Sequence, residues 1–119
     1  MENYKEAIRD YSSAIKLESS NSLAYFNRGA AYYADGNRFE ALKDFNKTIE
    51  LDPKDVQAYY NRGMAQYFFG NYHEAVADFT KTIDLSENHS MAYNNRAISY
   101  EALNKKNDAL DDFNSAIRV

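Results

Sequence analysis

Ala24-Tyr25-Phe26-Asn27-Arg28-Gly29, Ala58-Tyr59-Tyr60-Asn61-Arg62-Gly63 and Ala92-Tyr93-Asn94-Asn95-Arg96-Ala97 are one hexad written three times, 34 residues apart. A fixed period of this length marks units too small to bury a core alone, which must stack on their neighbours. The expected architecture is a solenoid, whose business is to present a surface.

Other series keep the same period outside the hexad. Ala7, Ala41, Ala75 and Ala109 fall in register, as do Asp10, Asp44, Asp78 and Asp112. Tyr11, Phe45, Phe79 and Phe113 follow each Ala at +4, and Ile15, Ile49, Ile83 and Ile117 at +8, which is helical spacing along one face. A second recurring helix carries Tyr25, Gly29 and Tyr32, then Tyr59 and Gly63, then Tyr93, Ala97 and Tyr100; its small central residue lets a partner helix approach closely. Gly36 and Gly70 stand where the left-handed conformation would end a helix. Asn3, Asn37 and Asn71, each followed by Glu at the third position, read as capping boxes for the next. The third copy degrades to Asn104-Lys105 with Asp108, so its turn is expected to be the least regular. These signals predict helices over 3–17, 22–35, 38–51, 56–69, 72–85, 90–103 and 106–118, and no strand. Pro53, the sole proline, falls between helices, where it removes no interior hydrogen bond.

Composition narrows the chemistry. The 119 residues suit one domain, 45% hydrophobic and 27% charged, with eleven Tyr, seven Phe and no Trp. A net charge of −4 argues against a surface that tracks phosphates, because nucleic-acid binders concentrate Lys and Arg. The absence of Cys removes disulfides, thiolate catalysis and zinc-thiolate sites together. No run approaches the length of a membrane span, and Met1 to Glu6 lack the apolar stretch of a signal peptide, so the expectation is a soluble, cytoplasmic protein. His73 and His89 belong to different repeats with no metal-ligand spacing around them, and no Gly-rich phosphate loop exists. No catalytic residue, cofactor or metal site is expected, and His73 reads as a partly exposed packing residue. Asp108, Asp111 and Asp112 cluster where a helix dipole favours them. The sequons at Asn46 and Asn88 are read as coincidental. Arg28, Arg62 and Arg96 recur with the Asp series, which predicts a ladder of ion pairs between helices.

At these residues the chain resembles the tetratricopeptide repeat family. Counted from Ser22, the family's patterned positions match Tyr25, Gly29, Tyr32, Ala41, Phe45, Thr48 and Pro53. The second copy matches with Tyr59, Gly63, Ala75, Phe79 and Thr82, but has Gln66 at an aromatic position and Glu87 in place of Pro. The third keeps Tyr93, Ala97, Tyr100, Ala109, Phe113 and Ala116. The resemblance implies an all-α, right-handed superhelical solenoid of antiparallel helix pairs with about seven helices. It forms one array: 1–21 as the second helix of a partial repeat, then 22–55, 56–89 and 90–119, the last incomplete at its end.

The family's inner groove is lined by the first helix of each pair. Here those positions are Leu23, Phe26, Asn27, Ala30, Tyr33 and Ala34, then Gln57, Tyr60, Asn61, Met64, Tyr67 and Phe68, then Met91, Asn94, Asn95, Ile98, Glu101 and Ala102. Chaperone-binding members clamp a C-terminal carboxylate with Lys and Arg there. This chain has Phe26, Ala30, Asn61, Met91 and Asn95 where the clamp would lie, so a grip on an acidic terminus is not expected. The recurring Asn27, Asn61 and Asn95 resemble the asparagine ladders with which some members hold an extended peptide, with Phe26, Tyr33, Tyr60, Met64, Tyr67 and Phe68 as apolar contacts. The expected function is a non-enzymatic scaffold or adaptor binding a peptide or helix of a protein partner, without nucleic acid or membrane. The alternatives are a structural spacer or self-association segment of a longer array of such repeats, with end faces such as Phe113, Ala116 and Ile117 as the contacts, or the recruitment domain of a larger enzyme.

Overall fold

The computed structural model describes residues 3–118; Met1, Glu2 and Val119, which close the outer expected segments, lie outside it. Among the described residues there are seven α-helices and no strand: α1 (Tyr4–Leu17), α2 (Ser22–Ala34), α3 (Arg38–Leu51), α4 (Val56–Phe68), α5 (Tyr72–Leu85), α6 (Ser90–Ala102) and α7 (Lys106–Arg118). Each begins and ends within one residue of its sequence-derived bounds. Two compact units result, Met1–Ala58 and Tyr59–Val119, with the boundary inside α4. In the first, α2 packs on α1 and α3; in the second, α6 packs on α5 and α7.

The turns inside the helix pairs share one hydrogen-bonding scheme. Asn37 N–H donates to Tyr32 C=O at 2.8 Å, Asn71 to Gln66 at 2.9 Å and Lys105 to Tyr100 at 2.8 Å, the six-to-one bond of a Schellman ending. That ending needs a left-handed residue, supplied by Gly36 (φ +86°), Gly70 (φ +80°) and Asn104 (φ 65°). The third turn is therefore as regular as the others, against expectation, because Asn tolerates this conformation better than most side chains.

The caps differ from the sequence reading. Asn3 accepts from Glu6 N–H and donates to Glu6 Oε1 at 2.8 Å. Asn37 and Asn71 make no side-chain cap, and Asn71 Nδ2 donates to Gln66 Oε1 instead. The caps that recur with the period lie on the other helix of each pair: Asn21 accepts from Ala24 N–H, Asp55 from Ala58 N–H and His89 Nδ1 from Ala92 N–H, each at 3.1 Å.

Burial follows the repeat. Ala24, Ala58 and Ala92 are buried, as are Ala41, Ala75 and Ala109, and Phe45 and Phe79 are fully enclosed. The small residue of the hexad explains how. A Cβ on Gly29 would stand 2.8 Å from the Phe45 ring, and one on Gly63 would stand 2.7 Å from the Phe79 ring. The ring edge thus occupies the volume a side chain would need, and the nearest approach to Gly63 is by the Phe79 ring.

The expected ion-pair ladder is present inside each helix pair. Arg28 holds Asp44 through two bonds of 2.8 Å; Arg62 holds Asp78 at 2.9 and 2.7 Å; Arg96 holds Asp112 at 2.7 and 2.8 Å. The Asp side chains are buried and the Arg side chains half-buried, so the fork geometry compensates a real desolvation cost. The Arg62 guanidinium is raised above its ordinary value, chiefly by its hydrogen bond to Asp78. The Asp78 carboxyl is also raised, because its burial outweighs the pull of Arg62. The two shifts weigh the pair differently, and the short bidentate contact decides that it is formed. Asp10, the first member of the Asp series, is exposed and carries no such partner among the described residues.

Two outcomes test this packing. Gly63→Leu is expected to overpack against Phe79 and cost about 1 to 3 kcal/mol; an unchanged melting temperature would show the register of the α4–α5 contact to be wrong. Arg96→Met, which strands the Asp112 carboxylate, is expected to cost about 3 to 5 kcal/mol, while Arg96→Met with Asp112→Leu recovers most of it. Urea unfolding of Arg96→Met, Asp112→Leu and the double variant measures this, and a double variant as unstable as the sum of the single ones would disprove it.

Candidate functional site

In the second unit, α4 and α6 turn equivalent faces to one side. Tyr60, Met64 and Tyr67 of α4 and Asn94, Asn95 and Ile98 of α6 follow helical spacing away from Gly63 and Ala97, which face the paired helix. Two adjacent cavities open there. The larger, about 600 Å³, is lined by Tyr60, Met64, Ser90, Met91, Asn94, Asn95, Phe113, Ala116 and Ile117. The smaller, about 130 Å³, is lined by Met64, Tyr67, Phe79, Asn95 and Ile98. Not one of these side chains is ionised at neutral pH, in a chain that is 27% charged.

A polar tie crosses this face. Asn95 Nδ2 donates to the Tyr60 hydroxyl at 2.7 Å, which ties α6 to α4. Tyr60 is only 6% exposed; its ring packs on Phe79 at 5.8 Å and on the His89 imidazole at 4.9 Å. It is thus mainly a core residue that shows one edge to the larger cavity. Tyr67 packs on Tyr72 at 5.3 Å. Asn61 and Phe68 border neither cavity; Phe68 is 57% exposed, with its ring edge-on to Phe69.

In the first unit, α2 carries Phe26, Asn27 and Tyr33, all half-buried. Phe26 packs on Phe45 at 5.8 Å. The Arg38 guanidinium lies over the Tyr33 ring at 4.9 Å.

Sequence reasoning overlooked two features. Phe113, Ala116 and Ile117, read as a face for a missing neighbour, form a wall of the larger cavity. His89 is a helix cap whose Nδ1 lone pair accepts a backbone N–H; the 34-residue register with Asn21 and Asp55, both natural cap residues, was the available signal. His73 is exposed rather than partly so. Among the described residues no group of His, Asp or Glu side chains is placed to hold a metal ion, and no helix is long and apolar enough to cross a membrane.

No curated protein matches the chain. A crystal structure of MamA superposes with a TM-score of 0.95 at 22% identity, covering 98% of this chain and 68% of that one. MamA 41-end from Desulfovibrio magneticus RS-1 gives 0.91 at 18% identity, covering 98% and 66%. The chain thus spans about two thirds of these MamA chains, and the likeness is one of fold. The second TPR of Spaghetti (RPAP3), bound to the HSP90 peptide SRMEEVD, gives 0.79 at 26% identity, covering 84% and 94%. Three models of this repeat match directly, a TPR repeat over residues 1–36 and tetratricopeptide repeats over 22–55 and 45–77. Those models account for residues 1–77 and the helices beyond repeat the same register, so the chain belongs to the tetratricopeptide repeat family.

Proposed function

We propose that the chain is a scaffold or adaptor module that binds a peptide or helix of a protein partner, with Asn27 of the first unit and Asn61 and Asn95 of the second as polar contacts, and that it performs no catalysis itself. The observation that carries this reading is the pair of open cavities walled by Met, Tyr, Phe and Ile with amides and without charge. Concave, mainly apolar sites with a few polar groups are where ligands lose water profitably. The Spaghetti (RPAP3) TPR, held with an acidic peptide, supports a peptide as the class of ligand. The cavities of this chain offer that peptide's carboxylates no cation, so its own ligand differs in character. In this reading Phe26 and Tyr33 in the first unit, and Tyr60, Met64, Tyr67 and Phe68 in the second, supply apolar area beside these amides.

A second reading, self-association, draws on Leu110 and Ile117, exposed apolar residues of α7 with Ile117 at 82% exposure. Replacing both with Lys is expected to leave sedimentation unchanged if the adaptor reading holds, whereas a shift to a smaller species would favour self-association.

A pull-down with the chain as bait, followed by mapping of the retained segment, supplies the ligand for the direct test. The triple variant Asn27→Ala, Asn61→Ala, Asn95→Ala is expected to weaken binding by about 0.5 to 1.5 kcal/mol per amide, with little response to salt because no charge is removed. Calorimetric titration at matched helicity measures it. Undiminished binding by a folded triple variant would exclude the amides as the grip.

A further inference from the structure

We infer, resting on the groove reading above, that the second unit takes an amphipathic α-helix rather than an extended peptide, anchored by two uncharged apolar side chains one turn apart. The first argument is spacing. Met64 and Asn95 wall both cavities; the larger reaches back to Tyr60 and Ser90, the smaller forward to Tyr67 and Ile98. On both α4 and α6 the cavities are therefore offset by roughly one turn, about 5.4 Å. Side chains at i and i+4 of a helix laid along these two helices have that separation.

Size and charge define the anchors. A dry cavity of about 150 Å³ accommodates a benzene-sized group, so the smaller cavity, about 130 Å³, suits one Leu- or Met-sized side chain. The larger, about 600 Å³ and continued by Phe113 and Ile117, accepts a bulkier residue with its neighbours. With no ionised wall, either would charge a desolvation cost against an acidic or basic anchor.

Hydrogen-bond accounting separates helix from strand. An extended segment brings an N–H and a C=O per residue, and each one buried without a partner costs more than a formed bond returns. Around the smaller cavity the polar side chains are Asn95 and Tyr67, and one Asn95 N–H is already given to the Tyr60 hydroxyl. A helix satisfies its own backbone and asks only for apolar walls.

The chain's three methionines make the test direct, since Met64 lines both cavities, Met91 lines the larger, and Met1 lies outside the described residues. The intact chain with ¹³C-methyl Met is titrated with peptides of about fourteen Ala, Gln and Ser residues carrying two Leu. One is locked helical by a side-chain lactam, because free helices of this length are marginal, with Leu at i and i+4. The second is equally locked with Leu at i and i+2, and the third is Pro-interrupted and extended. The first is expected to shift the Met64 and Met91 methyls with at least about tenfold tighter binding than the others, and within about twofold between low and high salt. Ile98→Asp, and Met91→Asp at a 59% exposed position, are each expected to reduce that binding, read at Met64. Equal or tighter binding of the extended peptide at Met64 overturns the helix while leaving the groove reading standing. If no peptide moves Met64, the inference falls, and the groove reading falls with it only if the segment mapped by pull-down also leaves Met64 unmoved.

Discussion

A half-buried guanidinium gripping a buried carboxylate with two parallel bonds is the constraint from which the rest of each helix pair follows. Arg28 and Arg96 do more than pair with Asp44 and Asp112. Arg28 Nη1 also donates to Ser12 Oγ of the preceding helix, and Arg96 Nη1 to Thr80 Oγ1, both at 3.0 Å. Each of these side chains therefore joins three consecutive helices. Tyr25 and Tyr32 flank Arg28 at 5.7 and 5.8 Å, and Tyr93 and Tyr100 flank Arg96 at the same distances, where the ring faces favour a cation. Rotating the first helix of a pair by even part of a turn would break the fork, the flanking rings and the hydroxyl contact together.

Fixing that rotation is what exposes the groove. With Arg and Gly on the inner face, Tyr60, Met64 and Tyr67 are carried round toward the cavities. The Phe79 ring can then come close enough to Gly63 to serve as the floor of the smaller one. Core and site share a wall here, so the shape of the cavity is set by the same packing that stabilises the pair.

The helices were legible because every one of them is written at least three times in register, and repetition averages out the ambiguity of a single segment. Ion pairs were legible for the same reason, because Asp and Arg recur together; the close approach at the small residue of the hexad was legible too, but not that a Phe ring would make it. Features that depend on a choice among equally capable groups were not. Asn37, Asn71 and Asn3 share one local pattern and all three are exposed, yet only Asn3 caps, and Asn71 gives its amide to Gln66 instead. Tyr60 and Tyr67 both stood at groove positions, but the Tyr60 hydroxyl found Asn95 and its ring went to the core, which no spacing rule distinguishes. Asn104 was undervalued because a rule written for glycine hid a second residue able to take the same backbone angles.

The division of labour on α4 and α6 has an evolutionary reading. The ties that hold a pair together occupy Arg62, Gly63, Arg96 and Ala97, whereas the cavity walls draw on Met64, Met91, Asn94 and Ile98. Mutation at Met91, 59% exposed, meets little resistance from the first set, whereas Met64 also packs on the core around Phe79. Duplicated copies of such a unit can therefore drift apart in what they recognise while inheriting an unchanged frame, so that one ancestral helix pair supplies many specificities.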